Sequence, residues 1–344
     1  MMNKGCRFGT HRVVEPSGVL PQAALKINNE MKINSNELLI EVITLNIDSA
    51  SFTQIKDVCN SDKSLMEEMI SDIVSKRGKM QNPVTGSGGM LIGRIKEIGT
   101  DFPDKSLSVG DTIATLVSLS LTPLKIKKIR DIKLENDQVD IDGEAILFES
   151  GIYAKVPSDM PEKLVLAALD VAGAPAQTDK LVSKGDTVAV IGAAGKSGVL
   201  CCYQAKKKVG NNGKVIGIVP FEEQVKGLKE LGVTDDIIVA DATKAVDVYE
   251  KVMALNDEQV DVTINVVNVP NCEMSAILIT KDSGVVYFFS MATSFTKAAL
   301  GAEGVGSDVT MIVGNGYTKG HAELTLNLLK ESDKIRKLFE EIYG

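Results

Sequence analysis

The sequence predicts an α/β protein in two parts, a mostly β unit followed by a doubly wound parallel sheet. Three observations carry this. From Thr187 onward, short β-branched apolar runs alternate with helical patterns, as the strand–helix–strand units of a parallel sheet require. Before Pro161 the chain shows short strands punctuated by turn residues. A length of 344 residues with 44% hydrophobic content also exceeds what one core usually organises.

Taken in order, residues 1–34 scatter Gly, Pro and Asn without periodicity. Glu37 to Asn46 (ELLIEVITLN) is a strand, rich in β-branched residues and partly alternating. Cys59 to Lys76 spaces Leu65, Met69 and Ile73 at helical intervals among charges, which predicts a surface helix. Leu91 to Ile98 is a strand between glycines 88, 89 and 99, and Gly110-Asp111 turns into another, Thr112 to Val117. Leu164 to Ala172 is a helix of small residues. Strands are then expected at 187–192, 214–219, 236–239, 261–267 and 284–290, with helices at 196–209, 221–231, 244–255 and 271–280. Asn211-Asn212-Gly213 and Gly232 supply the stops. A further strand is expected near Asp308 to Val313. The tail, Glu323 to Ile342, is one amphipathic helix carrying Leu324, Leu328, Leu338 and Ile342 on a stripe.

The most informative stretch is Thr187-Val188-Ala189-Val190-Ile191-Gly192-Ala193-Ala194-Gly195-Lys196-Ser197-Gly198. A buried strand, a glycine turn and a helix start, in that order, form the phosphate-gripping corner of a dinucleotide site. The spacing is G-x-x-G-x-x-G rather than G-x-G-x-x-G. Gly192, Gly195, Lys196, Ser197 and Gly198 are therefore candidate cofactor-binding residues. Val219 ends the second strand of this domain, where an acid would hold the ribose diol of NAD; no Arg there would take the 2′-phosphate of NADP, so the residues leave NAD or NADP open.

Composition excludes other classes. A net charge of −8 argues against nucleic acid and anionic membrane surfaces, and the one basic run, Lys125 to Arg130, reads as a solvated edge. No window approaches a membrane span. The N-terminus has no apolar signal region, and the five cysteines have no zinc-ribbon spacing, which suits reduced thiols in a cytoplasmic protein.

Gly88-Gly89-Met90-Leu91-Ile92-Gly93-Arg94-Ile95-Lys96-Glu97-Ile98-Gly99, then Val109-Gly110-Asp111-Thr112-Ile113, Ala167-Ala168-Leu169 and the glycine turn, resemble the medium-chain dehydrogenase/reductase superfamily in register. The resemblance implies a GroES-like β domain (1–160), a Rossmann domain (161–318) and a C-terminal helix returning to the first domain (319–344). It also exposes departures. The positions of the superfamily's catalytic zinc ligands fall on Asn46, Gly89-Met90 and roughly Ala172, which do not form a ligand set, and the chain has two histidines, His11 and His321. No metal is expected.

Gly5-Cys6-Arg7-Phe8-Gly9-Thr10-His11-Arg12-Val13-Val14-Glu15-Pro16, with Leu20-Pro21-Gln22-Ala23-Ala24, Asn46 to Phe52 and Asp170 to Ala176, narrows the resemblance to the L-erythro-3,5-diaminohexanoate dehydrogenases, a zinc-free family. That resemblance implies NAD(P)-dependent reversible oxidative deamination of (3S,5S)-3,5-diaminohexanoate to 5-amino-3-oxohexanoate and ammonium in lysine fermentation. A substrate with two ammonium groups and a carboxylate calls for acids and a cation. Asp48 and Asp170 are the catalytic or amine-binding candidates. Arg7 or Arg12 would hold the carboxylate, Asn46 adjoins the substrate, and Asn268 and Ser290 are expected at the nicotinamide end of the cofactor. Superfamily precedent implies a homo-oligomer, dimer or tetramer, joined near Asp308 to Val313. The alternatives are a zinc-free quinone or enoyl reductase, whose site would have no use for Asp48 and Asp170 together, and a non-catalytic nucleotide-sensing protein.

Overall fold

The computed structural model describes residues 3–290, 292–314 and 316–343, and the chain divides into two compact units between Asp159 and Met160.

The first unit begins with an antiparallel pair, β1 (Val13–Glu15) and β2 (Lys26–Ile27). Its core is a six-stranded antiparallel sheet built from β3 (Leu38–Ile47), β4 (Gly89–Ile98), β5 (Thr112–Thr115), β6 (Leu124–Lys133), β7 (Gln138–Leu147) and β8 (Tyr153–Lys155), in the order β6-β7-β3-β4-β5-β8. β3 lies inside the sheet, and Leu38, Ile40, Leu45 and Ile47 on it are buried together with Phe52 and Ile55 of α1 (Ser49–Val58) and Met66 and Ile70 of α2 (Lys63–Arg77). The surface helix expected over 59–76 is α2, which starts four residues later at Lys63, and a separate helix, α1, precedes it. Asn60 and Ser61 adopt left-handed backbone between them, and Asp62 caps α2 by accepting from the amides of Ser64 and Leu65. The basic run lies on β6 at the end of the sheet, where lysines keep an open edge solvated.

The second unit opens with α3 (Glu162–Leu169) and α4 (Gly173–Leu181). It continues through β9 (Thr187–Ile191), α5 (Lys196–Val209), β10 (Lys214–Val219), α6 (Glu223–Leu231), β11 (Asp236–Val239), α7 (Ala245–Asn256), β12 (Val260–Asn265), α8 (Glu273–Ile279), β13 (Thr280–Phe288), α9 (Phe295–Val305), β14 (Thr310–Val313), α10 (His321–Glu331) and α11 (Asp333–Tyr343). All its strand pairs are parallel, in the order β11-β10-β9-β12-β13-β14. Strands buried on both faces read as continuous apolar runs, and β9 and β10 do so from Val188 and Val215 onward. The tail is two helices separated by Ser332. Where the sequence reading sent the C-terminal helix back to the first domain, α10 packs on α3, α4 and α5, and α11 packs on α3, all within the second unit. The reason is apolar: Leu328, Leu329, Ile335 and Phe339 are buried, and Thr325 Oγ1 donates to the carbonyl of Ala172 at 3.3 Å.

Candidate nucleotide site and substrate-binding residues

Counted in chain order, the strands of the second unit lie 3-2-1-4-5-6, so the strand order reverses between β9 and β12. Ligands of open parallel sheets bind beyond the carboxyl ends of the strands at that switch point. The glycine turn occupies it, and its three glycines serve different ends. Gly192 has φ +88°, and a Cβ there would come within 2.9 Å of Val267, which follows β12. At Gly198 a Cβ would meet the Gly192 carbonyl oxygen at 2.1 Å, so only glycine lets α5 approach the turn. Gly195 differs: its Cβ would touch nothing closer than 3.5 Å. Its bareness leaves space for a ligand rather than for the protein. Gly195 is also the N-cap of α5 and offers no side-chain cap, so the first-turn amides around Lys196 and Ser197 are available to an anion. The turn therefore fits a dinucleotide's pyrophosphate.

Two of the predicted residues meet here in an unforeseen way. Lys196 Nζ lies 2.6 Å from Asp170 Oδ2, and Asp170 caps the C-terminus of α3. The carboxylate expected to stand ready for an amine is ion-paired with the cation of the phosphate turn. Asn268 and Ser290, beyond β12 and β13, also come together, Ser290 Oγ donating to Asn268 Oδ1 at 3.2 Å. Val219 is fully buried and offers nothing to a ribose, while Phe221, two residues on, is exposed.

In the first unit, Asn46 pairs with Met90 and Ile47 with Gly89 across β3 and β4, so two of the three superfamily zinc positions are neighbours. Gly89 has φ +109°, and a Cβ on it would sit 2.0 Å from the Asn46 carbonyl oxygen. The ligand position is thus closed to any side chain. Among the described residues no cluster of three His, Cys, Asp or Glu side chains could hold a metal ion.

Asp48 follows directly as the N-cap of α1. Oδ1 accepts from the Ser51 amide at 3.1 Å, whereas Oδ2 is buried and has no hydrogen-bond partner among the described residues. An orphaned buried acceptor costs roughly 1–3 kcal/mol and marks where a donor belongs. Beside it, Ser51, Thr85 and Ser87 close a triangle of hydroxyls at 2.5, 2.8 and 3.0 Å that ties α1 to the loop before β4. The sequence reading missed this triangle, because its members are far apart in the chain and each is a commonplace loop residue.

The two arginines separate. Arg12 is engaged within the protein: Nε and Nη2 donate to Glu37 at 2.9 and 2.7 Å, and Nη1 and Nη2 donate to the carbonyls of Glu30 and Lys32. It is a buried cation held by four hydrogen bonds. Glu37, read in the sequence only as the start of a strand, is its partner and also accepts from the Asn34 amide. Burial alone would raise the Glu37 carboxyl, but hydrogen bonds from His11 and Arg12 outweigh it and bring the pKa down to about 2. Arg7 remains exposed, its guanidinium 5.1 Å from the Phe8 ring centroid.

An antiparallel sheet followed by a parallel sheet with this phosphate turn is the architecture of the medium-chain dehydrogenase/reductase fold. The fold is similar to that of the CurK enoyl reductase, with a TM-score of 0.55 at 17% identity over 93% of this chain and 86% of that one. A family profile described as the L-erythro-3,5-diaminohexanoate dehydrogenase N-terminal domain matches residues 11–157. Over its full length the chain is 62% identical to the L-erythro-3,5-diaminohexanoate dehydrogenase of Acetoanaerobium sticklandii, covering 99% of each. It is 61% identical to that of Fusobacterium nucleatum, covering 99% of this chain and 100% of the relative. The chain belongs to the L-erythro-3,5-diaminohexanoate dehydrogenase family.

Proposed function

We propose that this protein catalyses the reversible oxidative deamination of (3S,5S)-3,5-diaminohexanoate to 5-amino-3-oxohexanoate and ammonium, a step of lysine fermentation. The observation that carries the reading is similarity above 60% along the whole chain to two dehydrogenases of that name. A nicotinamide dinucleotide held at Gly192, Gly195 and Gly198 would supply the hydride acceptor for carbon 3. Everything else falls to the chain's own residues and water. An ammonium cannot expel a hydride, so the carbon-3 amine must first lose a proton to give its lone pair. Asp48, with one carboxylate oxygen lacking a donor among the described residues, suits the binding of that ammonium and the removal of its proton. The lone pair then drives hydride departure, water adds to the imine carbon, and ammonia leaves and is protonated. Nitrogen supplies the electron push, so the step needs no Lewis acid.

Asn46 is the amide donor or acceptor beside Asp48, and Arg7, an exposed cation, is assigned the substrate carboxylate. Asp170 is assigned a supporting part, holding Lys196 over the phosphate turn. NAD is the cofactor this site suits: Glu222 and Glu223 are exposed just after β10, and a 2′-phosphate beside them would be repelled. The protein is further assigned to a homo-oligomer through the edge strand β14, where Val313, together with Phe295 and Leu300 of α9, is exposed. The deciding experiment follows cofactor reduction and ammonium release with 3,5-diaminohexanoate, using NAD and NADP in parallel. Turnover with ammonium formed in step with reduced cofactor is expected. Reduction without ammonium, or none with either cofactor, overturns the reading.

A further inference from the structure

One face of the antiparallel sheet ends in a row of polar side chains, one of which has no part in the chemistry above. Lys133 of β6 is paired with Gln138 of β7, and Gln138 with Asn46 of β3. Directly opposed residues of antiparallel strands project to the same face, with Cβ atoms about 4.5–5.5 Å apart. Asp48 lies two residues beyond Asn46 in extended backbone, φ −61° and ψ 146°, and so falls on that face too. The opposite face is apolar core, with Leu45, Ile47 and Val139 buried in it.

Gln138 is the unexplained member. It is only 7% exposed, yet its amide makes no hydrogen bond with any described residue. Its polar atoms are not sealed from solvent, so a ligand can reach them. The Asn46 amide beside it is likewise without a partner among the described residues. A buried amide without a partner is costly, and two side by side mark a place where a ligand supplies the bonds. The charge around them is negative. Lys133 is neutralised by Asp140 at 2.8 Å. Asp137, at the turn before β7, accepts from Ser49 Oγ at 2.7 Å and, like Asp48, has no ion-pair partner among the described residues.

Resting on the reading of Asp48 as the base for the carbon-3 amine, we propose that Gln138, with Asn46, binds the carbon-5 ammonium and so determines which amine is oxidised. The two nitrogens of the substrate are joined through three carbons. Two positions along an extended strand advance about 6.6 Å, so an amine on Asp48 brings the other within reach of the amides. No protein bond fixes the Gln138 amide, and its oxygen is free to turn to a cation. Amides in place of a second carboxylate have a chemical consequence. An amide oxygen accepts hydrogen bonds from an ammonium but is far too weak a base to take its proton. The amine held by Gln138 and Asn46 therefore stays protonated, has no lone pair and cannot expel hydride, whereas the amine on Asp48 can. The carboxylates of Asp48 and Asp137 match the two positive charges of the diamine.

The test measures kcat and KM of the full-length protein with 3,5-diaminohexanoate and with 3-aminohexanoate, which keeps the reacting amine and lacks the second. The wild-type protein is expected to prefer the diamine at least tenfold in kcat/KM. Gln138→Leu, of similar size without polar atoms, should reduce that preference about tenfold. The loss should come through a higher KM for the diamine, with kcat within about twofold and no fall in melting temperature. Gln138→Glu, which keeps an acceptor, should hold the diamine KM at the wild-type value or below. A preference unchanged in Gln138→Leu, a loss shared equally by both substrates, or a KM raised as far in Gln138→Glu as in Gln138→Leu overturns the proposal and leaves Asp48 standing. Unchanged turnover in Asp48→Asn overturns the base assignment and the proposal built on it. A wild-type protein that oxidises neither substrate overturns the function itself.

Discussion

Asp48 has two tasks at one position, and they can be separated. One oxygen caps α1 and the other has no partner among the described residues. Asparagine caps nearly as well as aspartate, so Asp48→Asn should keep the melting temperature within a degree or two while lowering turnover roughly 10²–10⁴-fold. Asp48→Ala should lose the activity and also about 0.5–2 kcal/mol of stability by urea denaturation. Equal turnover in Asp48→Asn and wild type would remove Asp48 from the chemistry. The glycines of the phosphate turn invite a similar contrast. Gly195→Ala meets no protein atom closer than 3.5 Å, so it should fold with a loss under about 1 kcal/mol yet bind NADH more weakly. Gly198→Ala forces a Cβ to 2.1 Å from a backbone oxygen and should cost at least about 1–3 kcal/mol of stability. Calorimetry on the two variants, with and without NADH, distinguishes them.

At the scale of elements, the N-terminal segment shows how a strand end becomes a clamp. His11, Arg12 and the Asn34 amide converge on Glu37 just before β3 and fasten residues that have little regular structure of their own. The folded pKa of Glu37, about 2, lies below the ordinary glutamate value near 4.3. Its contribution to stability is therefore fully present above that ordinary value and is lost as the pH falls from about 4.3 toward 2. Arg12→Met should leave Glu37 buried without its main counter-charge, cost about 3–5 kcal/mol in urea denaturation and move acid unfolding to higher pH. Substrate affinity is expected to survive in whatever fraction remains folded, since Arg12 is buried and its guanidinium is held by Glu37 and two backbone carbonyls. A second device works in the same unit. Lys79 is fully buried and donates to the carbonyls of Pro21 and Gln22 at 2.6 and 3.3 Å; burial pushes its pKa down to about 8.

For the whole molecule, the two units have separate cores, one gathered on the antiparallel sheet and one on the parallel sheet. All the nucleotide candidates lie in the second. A ligand that binds only the native state stabilises what it binds by about 2.7 kcal/mol at a hundred times its dissociation constant. Differential scanning calorimetry with saturating NADH should therefore raise the transition of residues 160–344. A rise confined to the transition of the first unit would misplace the nucleotide.

The sequence alone determined the order of elements and the position of the phosphate turn, because both depend on local signals. Strand and helix periods are written in neighbouring residues, and Gly192, Gly195 and Gly198 stand within one short stretch. The family was legible for the same reason, through contiguous motifs such as Asn46 to Phe52. The tertiary structure decided which charges were already engaged. Arg12 and Glu37 lie far apart in the chain, as do Lys196 and Asp170, and no spacing rule relates either pair. It also decided which acceptors lack a donor. Asp48 is an unremarkable letter until folding buries one of its oxygens away from water with no donor among the described residues, since burial and hydrogen bonding are properties of all the surrounding chain rather than of the residue.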